Sequence, residues 1–305
     1  MCRFLLCKGR EPILIAELLT RPAHSIINQS FDCRLRIDRI RPINGDGFGV
    51  GWYDASAPGE SPCIFTSIQP AWNNLNLSRL VEKIRSPLVF AHVRASTGGF
   101  PSSESNCHPW QYGRLMWMHN GNIANFGLIK RRLQASLRDS LYNFVQGNTD
   151  SEWSFALFLN QLDDPDSGSF TPEVLKEAML RTIAQLNQWL DEAGITEISL
   201  MNFAVTDGES VICTRYITDS RKEGASLYFS SGTRFESYKP GHYRMIKADK
   251  REDIVVIASE PLTFEKTDWL TIPSNTLVII TPRLNVLLHP IKDQYYTANK
   301  REAWS

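Results

Sequence analysis

The chain has 305 residues, and its 33 basic and 33 acidic side chains give a formal net charge of zero. A nucleic-acid surface requires a clustered basic excess, and a membrane span requires about 20 consecutive apolar residues. The sequence has neither, and its first residues do not form a secretory signal, so we expect a cytoplasmic protein without a membrane or nucleic-acid partner.

The first half of the chain begins with an apolar strand predicted at residues 3–6. A helix is predicted at 12–19, because proline favours the first turn of a helix. Residues 34–41 are basic and indicate a solvated loop. The glycine-rich run at 44–53 lacks a following helix, so it predicts a tight turn and a strand rather than a phosphate loop, with Asp46 and Gly47 near a pocket mouth.

The rest of the chain alternates helices with strands. Helical periodicity covers 123–144, with a break near Ser136, and 171–193. An Asp207-Gly208 turn predicts a hairpin between two strands. The predicted strands are 86–94, 114–119, 199–205, 211–216, 226–230, 253–258, 276–280 and 286–289. Helices that lie between two groups of strands predict layered sheets covered by helices, in one domain over residues 2–305.

Six cysteines are spread along the chain without a C-x-x-C pair, so free thiols are expected. Cys107 and His108 could join His92 or His119 around zinc, but the spacing of zinc ligands is absent. We expect no metal and no cofactor, and we interpret these three histidines as hydrogen-bonding supports.

Cys2 follows the initiator methionine and has two interpretations. It can be a small buried side chain at the start of a strand. If methionine aminopeptidase removes Met1, it instead carries a thiol and a free α-amine on one residue. A free thiol has a pKa of about 8.5 and an α-amine about 7.7 to 8.0, so the amine can take the thiol proton.

Three further places combine polar groups with the end of a predicted element. Arg94 lies at the end of a predicted strand, where it could bind the carboxylate of a substrate or form an ion pair on the protein surface. Asn120 and Gly121 suit an oxyanion hole or a simple turn. Asp150 follows Thr149 before an apolar run, where it can belong to a helix cap or bind an ammonium group. The residues alone leave each pair of interpretations open.

Taken in order, the motifs resemble the class II glutamine amidotransferases, which have an N-terminal nucleophile. The resemblance covers essentially the whole chain. The motifs are Cys2 after Met1, Asn-Gly-Asp-Gly-Phe-Gly, His-Val-Arg-Ala-Ser-Thr, Asn-Cys-His-Pro, Met-His-Asn-Gly and Thr-Asp-Ser-Glu. Ala-Ser-Glu-Pro-Leu at 258–262 and Trp269 resemble the branch of ergothioneine-pathway hydrolases and fungal glutathione-degrading subunits.

This resemblance implies the α+β, four-layer αββα sandwich of N-terminal nucleophile hydrolases. It assigns Cys2 as the nucleophile and Asn120 with Gly121 as the oxyanion hole. Arg94 would bind the α-carboxylate and Asp150 the α-ammonium of a γ-glutamyl substrate. The implied activity is hydrolysis of γ-glutamyl amides, above all glutathione, together with a metallopeptidase-like subunit.

Three rivals remain at this stage. The chain could release ammonia from glutamine for a separate synthase subunit, since the resemblance covers essentially the whole chain and we therefore expect no second catalytic domain. It could be a catalytically silent scaffold, against which the intact set of motif residues argues. A cysteine protease of the Cys-His type would tolerate extra residues before Cys2.

Overall fold

The computed structural model describes residues 2–33, 43–54, 56, 60–96, 103–248 and 251–297, without the side chain of Lys266. The predicted loop at 34–41 lies outside them. The described strands are β1 (Arg3–Leu14), β2 (Phe48–Trp52), β3 (Cys63–Ser67), β4 (Arg85–Val93), β5 (Trp110–Tyr112), β6 (Leu115–Asn122), β7 (Leu200–Thr206), β8 (Val211–Arg215), β9 (Tyr228–Gly232), β10 (Arg234–Lys239), β11 (His242–Ile246), β12 (Ile254–Ala258), β13 (Leu270–Thr271), β14 (Thr276–Ile280) and β15 (Val286–Pro290).

The described α-helices fall into a short early group and a longer middle group. They are α1 (Ala16–Leu19), α2 (Ile26–Gln29), α3 (Leu75–Val81), α4 (Phe126–Ser136), α5 (Asp139–Phe144), α6 (Asp150–Asn160) and α7 (Pro172–Glu192). None of the helices in the described part of the chain is long and apolar enough to span a bilayer.

Two antiparallel sheets form the centre of the molecule. One has the strand order β13-β9-β12-β1-β4-β2-β3, and the other has β15-β14-β8-β7-β6-β5. A separate hairpin joins β10 to β11. The strand β1 pairs with β4 on one side and β12 on the other, so the start of the chain lies inside a sheet built largely from later segments.

The alternation of side chains along β1 shows how the layers are stacked. Phe4 and Leu6 belong to a core between the two sheets, with Met116 and Met118 of β6. Leu5 and Cys7 point to the other face and pack with residues of α1, α2 and α3. Successive strand residues face opposite sides, so β1 contributes to two cores.

The outer face of the second sheet is covered by the longer helices. The Trp117 ring of β6 stacks on the Phe155 ring of α6 and contacts the tilted Phe158 ring, with ring centroids 5.6 and 5.3 Å apart. The same core contains residues of α4, α5 and α7. Helices, sheet, sheet and helices therefore make four layers, as the predicted αββα sandwich requires.

Most predicted elements are confirmed, including the break between α4 and α5 and the long helix α7. The predicted helix at 12–19 is wrong over its first half, because β1 continues to Leu14. Ile13 and Leu14 pair with Ser86 and Arg85 of β4 after a register irregularity that follows Lys8. Pro12 lies within this irregularity, where its missing N–H removes no ladder hydrogen bond.

Candidate active site

A cavity of about 450 Å³ lies where β1, β4, β6 and α6 meet. Cys2 precedes β1, Arg94 follows β4, Gly121 is near the end of β6, and Asp150 begins α6. All four line the cavity. The structure thus brings together residues that the sequence placed at the ends of separate elements.

Cys2 is held from two sides. Its Sγ accepts a hydrogen bond from the Ala95 N–H at 3.4 Å, and its thiol approaches the Ala95 carbonyl at 3.6 Å. The Arg3 guanidinium donates to the Cys2 carbonyl at 2.9 Å. The two contacts with Ala95 and the contact with Arg3 fix the position of the sulfur at the cavity, where it could act as a nucleophile.

Arg94 is a buried cation, with 4% of its surface exposed. Its guanidinium donates to the Asp46 carbonyl at 3.3 Å, and it forms no ion pair with a carboxylate of the described residues. Buried charges are normally paired. A guanidinium that lines a cavity without a carboxylate partner among the described residues has the charge and the position to accept an anion.

We expected Asp46 to lie near the mouth of the pocket, but it is not among the described residues that line the cavity. It instead forms hydrogen bonds with the segment that carries Arg94. Its N–H donates to the Arg94 carbonyl at 3.1 Å. Its carboxylate accepts from the Ser96 N–H at 2.7 Å. The glycine-rich turn thereby fixes the direction of the guanidinium.

Asp150 is half-buried at the first turn of α6. The Thr149 side chain caps this helix by accepting from the Glu152 N–H at 3.3 Å, which confirms the predicted cap. One carboxylate oxygen of Asp150 accepts from the Ile123 N–H at 2.7 Å. The carboxylate is thus fixed in place while it lines the cavity.

Gly121 lies where β6 passes β7 at very close range. A Cβ added there would be 1.9 Å from the Leu200 carbonyl oxygen, so only glycine fits. The backbone at Gly121 can therefore line the cavity without a side chain in the way.

Asn120 is buried, and it is not among the described residues that line the cavity. Its amide nitrogen donates to the Ser259 hydroxyl at 3.2 Å, and the same hydroxyl accepts from the Phe4 N–H at 3.1 Å. An amide nitrogen has two hydrogens, so Ser259 uses one and leaves the second for another acceptor.

The three predicted support histidines form a buried group beside the cavity. Nε2 of His92 donates to the His119 carbonyl at 3.1 Å, and Nδ1 of His108 accepts from the His119 N–H at 3.1 Å. The His119 ring contacts the Leu200 carbonyl at 2.9 Å and the Ser151 hydroxyl at 2.8 Å. Burial lowers the pKa of His92 to about 3 and also lowers the pKa of His108 and His119.

Because His119 is neutral, the donor in its hydrogen bond with Ser151 can be assigned. A carbonyl can only accept, so Nε2 of His119 carries the proton and Nδ1 accepts from Ser151. The Ser151 hydroxyl oxygen also lies 3.2 Å from a carboxylate oxygen of Asp150. However, the hydroxyl has a single hydrogen, and it donates that hydrogen to His119, which is closer at 2.8 Å. The second oxygen of the Asp150 carboxylate therefore remains available to a ligand.

The chain matches the family model for class II glutamine amidotransferases over residues 15–228. The chain belongs to the class II glutamine amidotransferases. It is accordingly an amidohydrolase, which sets aside the silent scaffold as an interpretation of the sequence.

Among the residues that the structure describes, no three His, Cys, Asp or Glu side chains are grouped to hold a metal ion.

Among curated amidotransferases, the chain is 54% identical over 308 residues to "Probable glutamine amidotransferase DUG3" of Saccharomyces cerevisiae, an alignment that covers 97% of this chain and 86% of the relative. It is 29% identical over 123 residues to the γ-glutamyl-hercynylcysteine sulfoxide hydrolase of Mycobacterium tuberculosis, covering 40% of this chain and 50% of the relative.

Solved structures of amidotransferases share the fold. A glutamine aminotransferase class-II domain protein from Silicibacter pomeroyi aligns with a TM-score of 0.62 at 21% identity, over 95% of this chain and 99% of that one. The glutamine phosphoribosylpyrophosphate amidotransferase of B. subtilis aligns with a TM-score of 0.58 at 17% identity, over 95% of this chain and 49% of that one. The αββα fold of N-terminal nucleophile hydrolases is therefore confirmed.

Sequence reasoning missed one buried group that contacts Cys2 of this amidotransferase site. Arg3, which donates to the Cys2 carbonyl, pairs with Glu260 at 3.0 Å. His24 contacts the other oxygen of Glu260 at 3.1 Å. All three side chains are buried. The Ser-Glu-Pro motif that contains Glu260 was visible in the sequence, but its partner was not.

Proposed function

We propose that the chain hydrolyses γ-glutamyl amides through a thioester on Cys2, with glutathione as the preferred substrate. The observation that carries this proposal is that Arg94 and Asp150 line the same cavity as Cys2, and that the buried Arg94 guanidinium forms no ion pair with any carboxylate that the structure describes. This pair of opposite charges suits the zwitterionic head of a γ-glutamyl compound.

In this proposal, removal of Met1 gives Cys2 a free α-amine, which takes the proton of the thiol. Arg94 binds the α-carboxylate and Asp150 the α-ammonium, so the γ-carbonyl carbon is held next to sulfur in a near-attack geometry. Sulfur attacks that carbon, and the carbonyl electron pair moves onto oxygen. The Asn120 amide and the Gly121 N–H donate to the oxyanion.

The tetrahedral intermediate then collapses with cleavage of the C–N bond. The α-ammonium of Cys2 returns its proton to the leaving amine, so the amine departs neutral. A water molecule, deprotonated by the same α-amine, attacks the thioester and releases glutamate. Each proton stays within reach of one terminal residue, and the reaction requires no histidine base.

The other buried thiols are unsuited to this role. Burial raises the pKa of Cys7 to about 12 and that of Cys107 to about 11, so both remain protonated at neutral pH. Cys107 is a useful control, because it is buried and electrostatically coupled to Cys2.

The test compares glutamate release from glutathione by the unsubstituted chain, Cys2→Ala and Cys107→Ala. We expect Cys2→Ala to lose turnover while its thermal unfolding is unchanged, and Cys107→Ala to retain turnover. Substantial hydrolysis by purified Cys2→Ala would rule out the thioester mechanism.

The choice of glutathione is supported by the resemblance of the sequence to glutathione-degrading subunits. The name of the mycobacterial relative, γ-glutamyl-hercynylcysteine sulfoxide hydrolase, also specifies a γ-glutamyl compound. A mass-spectrometric screen of γ-glutamyl compounds tests this choice. Free glutamine as the best substrate would instead support ammonia supply to a separate synthase.

We further propose that residues 2–305 form one amidotransferase domain that works with a metallopeptidase-like subunit. The pairing of β1 with β12 supports a single domain, because it ties the first strand to the last third of the chain. Glutamate release measured with and without such a subunit tests the partner. Equal rates in both cases would remove the subunit from the proposal.

A further inference from the structure

One side of the active-site cavity is formed by α4, which none of the predicted catalytic residues belongs to. Phe126, Gly127 and Lys130 of this helix line the cavity. Positions separated by three or four residues share a helix face, so this is one continuous face of α4. It presents an aromatic ring, an open backbone and a cation.

Lys130 differs from the two basic residues that follow it. Arg132 forms an ion pair with Glu192 on the outer surface, and Arg131 is exposed. Lys130 is half-buried, and no carboxylate among the described residues forms an ion pair with it. Its ammonium lies 5.6 Å from the centroid of the Trp153 ring, a contact that holds a cation without neutralising it.

The charges that line the cavity do not match a γ-glutamyl head alone. The charged lining residues in the described part are Arg94, Lys130 and Asp150, and the lining histidines are neutral because burial lowers their pKa. The head group has one carboxylate for Arg94 and one ammonium for Asp150. A second carboxylate on the ligand would match the remaining cation.

We propose that Lys130 binds a carboxylate on the leaving group, so the site is built for γ-glutamyl peptides rather than for glutamine. This inference rests on the proposed function and adds the residue that selects the leaving group. Lys130 is a specificity residue in this account, because it contacts the part of the substrate that departs and takes no part in bond cleavage. Free glutamine has no group for it.

The test measures binding rather than turnover, so that no partner subunit is needed. The full-length chain carrying Cys2→Ala is titrated calorimetrically with glutathione and with its glycinamide analogue, in which the terminal carboxylate is a carboxamide. The same titrations are made with Lys130→Gln, Lys130→Arg and Arg131→Gln added. Arg131 serves as the control, because it is the exposed neighbour on the same helix.

We expect the Cys2→Ala chain to bind glutathione about tenfold more tightly than the glycinamide, as one charge-assisted hydrogen bond at a half-buried site provides. Lys130→Gln should bind both compounds equally, and Lys130→Arg and Arg131→Gln should keep the preference. A preference that survives Lys130→Gln, or that is absent from the Cys2→Ala chain, would overturn this inference while γ-glutamyl binding still supports the proposed function. Binding of neither compound would overturn both.

Discussion

The guanidinium of Arg3 lies 3.0 Å from the carboxylate of Glu260, and both side chains are buried, with 2% and 0% of their surface exposed. The same guanidinium donates to the carbonyl of Cys2. The residue proposed as nucleophile therefore contacts an ion pair between two residues that are 257 positions apart in the sequence. This pair fixes the start of β1 and contributes to the stability of the fold.

Glu260→Gln should strongly destabilise the protein, because it leaves the Arg3 guanidinium buried without its counterion. The loss of one partner of a buried pair costs about 3 to 5 kcal/mol. The free energy of unfolding in urea measures it. The control is Glu82→Gln, which breaks the exposed pair of Glu82 with Arg21 and should cost less than about 1 kcal/mol. Similar losses in the two variants would contradict the structural role of the Arg3 pair.

Arg94→Met should abolish ligand binding without lowering the stability of the unliganded protein, because Arg94 is a buried cation that no described carboxylate neutralises. Thermal unfolding with and without glutamate measures both effects. Saturating glutamate should stabilise the unsubstituted chain by about 2.7 kcal/mol at 100 times its dissociation constant, and should not stabilise Arg94→Met.

A second buried arginine provides the matched control for Arg94. Arg215 donates to the carbonyls of Ala225, Ile272 and Gly224, so Arg215→Met leaves buried acceptors unpaired. Each buried carbonyl left without a donor should lower the free energy of unfolding by about 1 to 3 kcal/mol. If Arg94→Met were destabilised as much as Arg215→Met, Arg94 would be a structural residue rather than a ligand-binding one.

Asn120→Ala should lower kcat by about 100-fold to 1,000-fold with little change in KM, as expected when one oxyanion donor is lost. Ser259→Ala should lower kcat less, because it removes only the partner that orients the Asn120 amide. Steady-state kinetics on one γ-glutamyl substrate measures both. A kcat of Asn120→Ala within twofold of the parent would exclude this amide from the oxyanion hole.

The buried histidines predict that stability falls as the pH is lowered from about 6.5 to 5. Burial lowers the pKa of His92 to about 3, whereas the unfolded chain has histidine pKa values near 6.5. The unfolded state therefore binds more protons in this window, and stability rises with pH by about 1.4 kcal/mol per pH unit for each such histidine.

His92→Gln isolates one histidine of this group. The glutamine amide can still donate to the His119 carbonyl, but it does not titrate. The slope of unfolding free energy against pH should then decrease by the contribution of one proton. An unchanged slope would mean that His92 is protonated in the folded protein.

Much of the site was predictable from the sequence, because Cys2, Arg94, Gly121 and Asp150 each lie in a local motif at the end of an element. The fold was predictable where the apolar period was regular, as in α7. The first half of the helix predicted at 12–19 is wrong because pairing with β4 outweighs local helix propensity at Ile13 and Leu14.

The rest depends on contacts between distant positions. Arg3 and Glu260 are separated by 257 residues, and nothing local to either one indicates the pair. Lys130 lies in a basic run at 130–132 that is typical of a solvated helix face. Lys130 is distinguished from Arg131 and Arg132 only by its position in the folded structure, where its face of α4 lines the cavity. The direction of the Asn120 amide likewise depends on Ser259, which directly follows strand β12 of the other sheet.

The most direct test of the central claim uses a fusion that precedes Cys2 and is removed by a protease that leaves Cys2 as the first residue. Glutamate release from glutathione is measured on the same preparation before and after cleavage, with intact mass confirming the new terminus. We predict no turnover while the α-amine is in a peptide bond, and turnover once it is free. Equal turnover before and after cleavage would contradict the use of the terminal amine as the base.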